Sequence, residues 1–436
     1  MRPTRRQFLG GVGALAAGAI GGWGCSGGSS GAKADDSPVT GGTSSTTAAG
    51  ELSSDTTVTT AAPVPVSTDP PPAIAYARID QPVTLPDNGV APVDTGTPAE
   101  AGPLRLLIYP DYIAPGVVER FQSSFGAAVE VSYYDEVDAA FEILRDPAST
   151  ADLVVGLPSL HINDLVLDGL IQPLNHDLLP NAENVLEWLR SPYYDVGSRY
   201  SLPYSVYTTG ITYRRDLIGD TVFNRDDAWA LLWDTTYAGK VGLLPDVRDG
   251  LALGLLVNGV VDLNTGDDSE IARAGAVLEK LVAAVAPGFD VYSYEQIPAG
   301  KVVLHQAWSG DMLTARASYL AAGQDDSILG YWHPTRCQVN SDMYVVPARS
   351  ASPVLAQTFM NFMLDPQQAK DNFAAIGFQP AVANPSAFDL VSAGLVPEHL
   401  LSTLVYDADV SIGYRTDPIA PSAAAKWAAA WNRITG

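Results

Sequence analysis

Residues 104–133 read LRLLIYPDYIAPGVVERFQSSFGAAVEVSY, and the architecture of the chain is most legible there. The run 104–109 is apolar enough for a buried strand. Pro110 and Pro115 bracket a turn, and Pro115 suits a helix start, where its missing N–H would have had no partner. Val117, Phe121 and Phe125 recur every four residues, which places them on one helical face. Residues 128–133 then alternate as a strand does. Strand, turn, helix and strand in this order form the unit from which helix-covered parallel sheets are built.

The same alternation continues outward. Strands are expected at 152–155, 239–244, 302–308 and 343–347. Helices are expected at 161–168, ending at Gly169, and at 250–257, 271–285, 311–320, 354–364 and 367–376. No internal repeat interrupts the pattern. The chain therefore reads as α/β with mixed, mainly parallel sheets. An ordered part of this length exceeds one open-sheet lobe, so two lobes with a hinge and a cleft are expected. Ligands of such sheets sit beyond the carboxyl ends of the strands. That rule selects the turns 109–112, 157–161, 245–249 and 308–311, which together carry acids, aromatics and a histidine. The composition suits a cation.

Charge points the same way. Of 436 residues, 25 are Lys or Arg and 49 Asp or Glu, a formal net charge of −24. Such a chain repels the phosphates of nucleic acids and anionic lipid surfaces, and cationic ligands remain open. Two cysteines, Cys25 and Cys337, are too few for a disulfide framework or a four-cysteine zinc site. Cys337 reads as a small buried residue. The five histidines form no His-Glu-x-x-His motif, and no Gly-x-Ser-x-Gly elbow occurs. No enzyme activity, cofactor or metal is expected.

The first 25 residues read as an address. Thr4-Arg5-Arg6-Gln7-Phe8-Leu9 is a twin-arginine export pattern, and the apolar run 9–23 that follows is shorter than the ~20 residues a spanning helix needs. Cys25 resembles a bacterial lipoprotein cysteine, which is acylated and becomes the mature N-terminus, although Gly22 stands where Leu is usual. The other reading is signal cleavage nearby with Cys25 incidental. Residues 26–102, rich in Gly, Ser, Thr and Pro, read as a disordered linker that also permits glycosylation.

A resemblance to a family rests on segments spread over 103–436. They are Tyr109-Pro-Asp-Tyr-Ile-Ala-Pro-Gly116, Asp152-Leu-Val-Val155, Asp168-Gly-Leu-Ile-Gln172, Tyr200-Ser-Leu-Pro-Tyr204 and Tyr237-Ala-Gly-Lys240. Asp246-Val-Arg-Asp249, Ala307-Trp-Ser-Gly310, Ser341-Asp-Met343 and Ile376-Gly-Phe378 follow in the same order. The sequence resembles the periplasmic spermidine/putrescine-binding proteins of ABC transporters. The resemblance implies a two-lobed periplasmic-binding-protein fold of type II, with lobe I at 103–207 plus 342–384 and lobe II at 208–341 plus 385–436. It implies crossings near 206–210 and 340–344. It also implies capture of a polyamine such as putrescine or spermidine and its delivery to an ABC permease. A monomer is expected, with membrane attachment only through a lipid anchor.

The resemblance carries site residues with it. Asp246 and Asp249 fall where the family holds an amine, although Asp-x-x-Asp before an apolar helix is equally a capping arrangement. Asp342 matches a further amine-binding acid or is a solvated strand-end residue, and Asp111 matches an acid in the first turn or bonds its own backbone. Trp308 aligns with a stacking tryptophan, Tyr112 with a tyrosine, and Tyr109 stands where the family commonly has tryptophan. Core packing is the competing role for all three rings. Ser159 lies near an expected serine and tyrosine, with His161 beside it as a surface residue or a pH reporter. Phe378 keeps an aromatic wall without the expected hydroxyl, and Asn340 replaces an expected tryptophan. Rivals on the same fold bind a sugar, an amino acid or ferric iron. Iron would want adjacent tyrosines, and Tyr133-Tyr134 and Tyr193-Tyr194 fall outside the expected cleft turns.

Overall fold

Ten strands make one mixed sheet in the computed structural model, which describes residues 77–219 and 228–436. They are β1 (Leu104–Ile108), β2 (Val129–Tyr133), β3 (Leu153–Pro158), β4 (Ser201–Arg214) and β5 (Val241–Leu243). The rest are β6 (Gly288–Phe289), β7 (Leu304–Trp308), β8 (Leu329–Trp332), β9 (Gln338–Val345) and β10 (Gln379–Pro380). The order is β2-β1-β3-β9-β4-β7-β5-β6, with β8 and β10 also pairing β4. Pairing is parallel at the flanks, β2-β1-β3 and β7-β5-β6, and antiparallel in the centre, where β9 and β4 lie.

The quoted stretch folds as its pattern requires. β1 leads through a turn into helix Pro115–Phe125, whose Val117, Val118 and Phe121 are buried, and the chain returns in β2. Pro115 occupies the first helical turn, and Gly126 ends the helix at φ 70°, the left-handed conformation glycine adopts freely. Phe125 keeps contact with Phe121 and Phe362 yet is 48% exposed, so the helix buries only part of its aromatic stripe.

Two features differ from the expectation. β4 is fourteen residues long and buried over all but its last position. Its Tyr, Thr, Ser and Gly residues hide it from a search for aliphatic runs, and its backbone groups pair inside the sheet with β7, β8, β9 and β10. β9 likewise begins at Gln338, five residues before the strand expected at 343. The segments expected to cross, 206–210 and 340–344, therefore lie inside two long strands paired to each other, with Ser205 opposite Asp342 and Tyr207 opposite Asn340.

Apolar clusters follow the strands. One gathers Leu104, Leu106 and Ile108 of β1 with Leu153 and Val155 of β3, and with Phe121, Phe359 and Phe378. Another gathers Ile211 and Tyr213 of β4 with Val241, Leu243, Leu304 and the helices Val247–Val257, Asp268–Val285 and Pro421–Thr435. The C-terminal helix enters that cluster through Trp427, Ala430, Trp431 and Ile434.

The linker expected over 26–102 is corrected at its C-terminal end. Ala77, Val83 and Leu85 are buried in a cluster with Leu107, Tyr194 and Tyr200. The backbone of Val83 bonds Tyr193 and Val196, and Tyr200 donates its hydroxyl to the Pro86 carbonyl. Three apolar side chains and a few long-range bonds suffice to order a Pro-rich strap that average composition reads as linker. The twin-arginine segment, Cys25 and residues 26–76 lie outside the described residues.

Candidate ligand-binding site

The four turns selected from the sequence sit at the carboxyl ends of β1, β3, β5 and β7. Strand register brings them together. Pro158 at the end of β3 pairs with Asp342 of β9, and Asp342 pairs on its other side with Ser205 of β4. Side chains alternate along a strand, so Gln338, Asn340 and Asp342 share one face of β9, as Ser205 and Tyr207 do on β4.

Asp342 is 7% exposed. Tyr112 donates its hydroxyl to Oδ2 at 2.8 Å and Tyr207 donates to Oδ1 at 3.1 Å. The Tyr112 hydroxyl also lies 2.7 Å from Ser205 Oγ. Burial pushes the Asp342 carboxyl up to about 7; the two tyrosine hydroxyls oppose the rise and the charge of Asp249 adds to it.

Asp249 arrives from another part of the chain. β5 ends at Leu243, Pro245 follows, and Asp246 caps helix Val247–Val257 by accepting the amides of Arg248 and Asp249 at 2.7 and 3.0 Å. Asp249 thus occupies the first turn of a helix, where the dipole favours a negative charge. Its Oδ2 accepts the indole N–H of Trp308 at 3.1 Å, and its Oδ1 accepts Gln338 Nε2 at 3.1 Å. Burial, then the charge of Asp246, pushes this carboxyl up to about 7; Trp308, Gln338 and Arg248 work the other way. Among the described residues, neither Asp249 nor Asp342 makes a side-chain ion pair with Lys or Arg.

Aromatic rings enclose the two acids. Tyr112 meets Tyr109, Tyr204 and Phe378 edge-on, at centroid distances of 6.2, 5.0 and 5.0 Å. Tyr207 meets Trp308 and Phe378, both at 6.3 Å. The Tyr109 hydroxyl is pushed up first by burial and then by the charges of Asp342, Asp246, Glu136 and Asp249, so it senses acids from several loops. Gly156, at φ 97° in the bulge of β3, leaves room for this wall: a Cβ there would stand 3.0 Å from Tyr109, 3.1 Å from Tyr134 and 3.3 Å from Tyr112.

Of the residues singled out from sequence, Asp249, Asp342, Trp308, Tyr112, Tyr109 and Phe378 meet in this one constellation. Ser159 is buried at the end of β3, beside the strand pair that carries Asp342. Asp246 is exposed and works as the helix cap, and it reaches the site through its charge on Asp249 and Tyr109. Asp111 takes φ 55° in the turn before Tyr112. His161, read as a surface residue or a pH reporter, is half-buried and packs edge-on against Phe141 at 5.4 Å, and burial with the Arg248 charge lowers it to about 4. It is neutral at physiological pH. Asn340, in the position of the expected tryptophan, bonds Thr416 through both ends of its amide.

Tyr207, Gln338, Ser205 and Tyr204 escaped the sequence reading. Alternation along 338–342 could have found Gln338, since amide and acid groups repeat every second residue there, whereas Pro203 and the bulge that follows it break any such pattern along 201–209. The paired tyrosines also differ from expectation in part. Tyr134 packs on Tyr109 at 4.3 Å, so one ring of the first pair approaches the site, whereas Tyr194 lies 3.2 Å from Ser341 Oγ, on the face of β9 opposite Asp342.

The chain is 27% identical over 285 residues to the spermidine/putrescine-binding periplasmic protein 1 of Haemophilus influenzae, covering 65% of this chain and 76% of that one. It is 27% identical over 285 residues to the putrescine/cadaverine-binding protein of Pseudomonas aeruginosa, covering 63% and 78%. The substrate-binding protein PotD of a Streptococcus pneumoniae spermidine/putrescine ABC transporter superposes with a TM-score of 0.62 at 21% identity, over 76% of this chain and 98% of that one. That likeness shows a shared periplasmic-binding-protein fold. These relatives are named as binding and transport proteins. Residues 116–393 match the family described as bacterial extracellular solute-binding protein, and the chain belongs to that family.

Proposed function

We propose that this protein captures a polyamine of the putrescine or spermidine type and delivers it to an ABC permease. The observation that carries the reading is the pair Asp249 and Asp342: one half-buried and one buried carboxylate, ringed by Trp308, Tyr207, Tyr112 and Phe378, with no protein cation paired to either among the described residues. At neutral pH a polyamine is a methylene chain with ammonium groups along it. Carboxylates answer the ammoniums, and flat rings cover the methylenes and the charge. A charge-assisted hydrogen bond is worth about 1.5–3 kcal/mol and a desolvated cation–π contact about 2 kcal/mol. Three or four such contacts are compatible with micromolar affinity or better after association costs. The names of the two sequence relatives support the same ligand class.

In this reading Asp249, Asp342, Trp308, Tyr112, Tyr109, Asp111, Ser159 and Phe378 contact the ligand, and Asp246 supplies field from the rim. The protein acts as a monomer, exported by the twin-arginine route and tethered through Cys25. The test is a thermal-shift screen with diamines, polyamines, amino acids, sugars and ferric salts. Upward shifts with putrescine or spermidine are expected. A shift confined to sugars, amino acids or iron rejects the proposal and names the replacement.

A further inference from the structure

Just before β9 begins, three donor groups of different chemistry converge. The thiol of Cys337, a ring nitrogen of His333 and a carboxylate oxygen of Asp409 lie within 4.8 Å of one another. They come from two separated parts of the chain: the connection between β8 and β9, and the helix Asp407–Ile412. Cys337 is fully buried, while His333 and Asp409 are half-buried, so the cluster has one enclosed side and one side open to solvent.

We infer that His333, Cys337 and Asp409 form a binding site for a single borderline divalent cation, of which Zn²⁺ is the type. The donor set selects this class. A thiolate, an imidazole and a carboxylate together suit zinc, with a fourth position left for water, whereas Ca²⁺ and Mg²⁺ take oxygen ligands.

The surroundings orient two of the three groups. His333 Nδ1 lies 2.9 Å from the carbonyl oxygen of Pro334. An Nδ1–H donated to that carbonyl leaves the Nε2 lone pair as the ligand, the arrangement that metal-bound histidines use. Asp409 Oδ2 accepts the Tyr406 amide at 2.9 Å, which holds the carboxylate in place and leaves its other oxygen for the ion. The backbone clamps the two segments together: Tyr414 donates to the Cys337 carbonyl at 2.7 Å, and Val339 donates to the Tyr414 carbonyl at 2.9 Å.

Two cations stand nearby, and each is already engaged. Arg336 donates to the Ile412 carbonyl at 3.0 Å and Arg415 to the Val410 carbonyl at 2.9 Å, both at the carboxyl end of the same helix. Zinc bonds of about 2.0–2.3 Å would bring the donor atoms to roughly 3.5 Å apart. The contraction needed is within reach of a loop histidine and a short helix. On binding, the S–H bond breaks, sulfur keeps the electron pair to form the S–metal bond, and the proton goes to buffer. The site is separate from the constellation around Asp249 and Asp342, although Cys337 immediately precedes Gln338, the residue that holds Asp249.

The test uses the full chain, reduced and stripped with a chelator. Cobalt(II) should produce the near-ultraviolet thiolate-to-cobalt band of a tetrahedral site at one equivalent, and Zn²⁺ should displace it. Cys337→Ser should abolish the band and Cys25→Ser should leave it. His333→Gln and Asp409→Asn should each weaken Zn²⁺ at least about tenfold in competition with a chromophoric chelator. Ion-free melting curves near that of the parent show that the variants fold. No band, a band that survives Cys337→Ser, or a band that depends on Cys25 overturns the inference. If Cys337→Ser does not fold, unchanged Zn²⁺ affinity in both His333→Gln and Asp409→Asn overturns it equally.

Discussion

The indole N–H of Trp308 ends on Oδ2 of Asp249, 3.1 Å away, so a ring of the candidate site also orients one of its carboxylates. The two halves of that role separate by substitution. Trp308→Phe keeps a flat apolar wall and frees the carboxylate, while Trp308→Ala removes both. A desolvated cation–π contact of about 2 kcal/mol corresponds to roughly thirtyfold in affinity. Calorimetry with putrescine or spermidine should show that loss for Trp308→Ala and a smaller one for Trp308→Phe. Equal affinities in all three proteins would remove the ring from the binding wall.

Asp342→Asn replaces the carboxylate held by Tyr112 and Tyr207 with a neutral group of the same shape. Affinity should fall at least about tenfold, or ~1.4 kcal/mol. The ligand-free fold should lose little, because the variant no longer keeps a desolvated charge beside Asp249. Asp246→Asn offers a comparison, since asparagine caps a helix as well as aspartate does. Its loss of affinity should be the smaller, reflecting field alone. A larger loss for Asp246→Asn than for Asp342→Asn would reverse their order in the site.

Binding should depend on pH through the same pair. Asp249 and Asp342 are both raised to about 7 in the ligand-free protein, so at acidic pH they hold protons that an arriving ammonium must displace. Affinity should therefore rise with pH from about 5 to 8, with proton release visible as a buffer-dependent binding heat. Stability runs the opposite way. A carboxyl raised on folding binds its proton more tightly in the native state, so this pair's contribution to stability falls as pH climbs from about 4 through about 7. A flat affinity over that range, with no proton release, contradicts the enclosure of the two acids.

Gly156→Ala tests the packing behind the rings. The new methyl group would press on Tyr109, Tyr134 and Tyr112 at 3.0–3.3 Å, from a backbone at φ 97° that side chains avoid. Strain and overpacking of this kind cost about 1–3 kcal/mol each. The denaturant midpoint should drop, and ligand affinity should drop with it because Tyr112 would move. A midpoint equal to the parent's would show that the turn relaxes freely.

Asp152 provides the contrast of a buried acid with a purely structural task. It is 0% exposed; Oδ1 accepts Ser350, Ala351 and Ser352, and Oδ2 accepts the amide of Arg105. Asp152→Ala strands those donors and should destabilise the fold by about 3–5 kcal/mol. Ligand affinity at a temperature where the variant is folded should match the parent's. Loss of binding without loss of stability would assign Asp152 to the site instead.

Much of the architecture can be read along the chain because its signals are local. The strand at 104, the helix that Pro115 opens, and the long helix ending at Val285 each follow from apolar spacing and end signals a few residues apart. The four turns at strand ends were reachable in the same way, and with them Trp308, Tyr112 and Asp249. β4 was not, since its polar residues become strand-forming only when β9, β7, β8 and β10 pair with it. The order of residues 77–102 was equally hidden, because its three apolar side chains find partners as far along the chain as Tyr194 and Tyr200.

Composition and order along the chain were enough to establish an acidic α/β protein with acids and rings at its strand ends. Which acids face one another was settled by register. Tyr112 and Asp342 are separated by 230 residues, and they touch because β3, β9 and β4 align Pro158, Asp342 and Ser205 in one row. Spacing along a chain carries no information about such pairings; hydrogen bonding between distant strands does, and it also fixes which face each side chain presents.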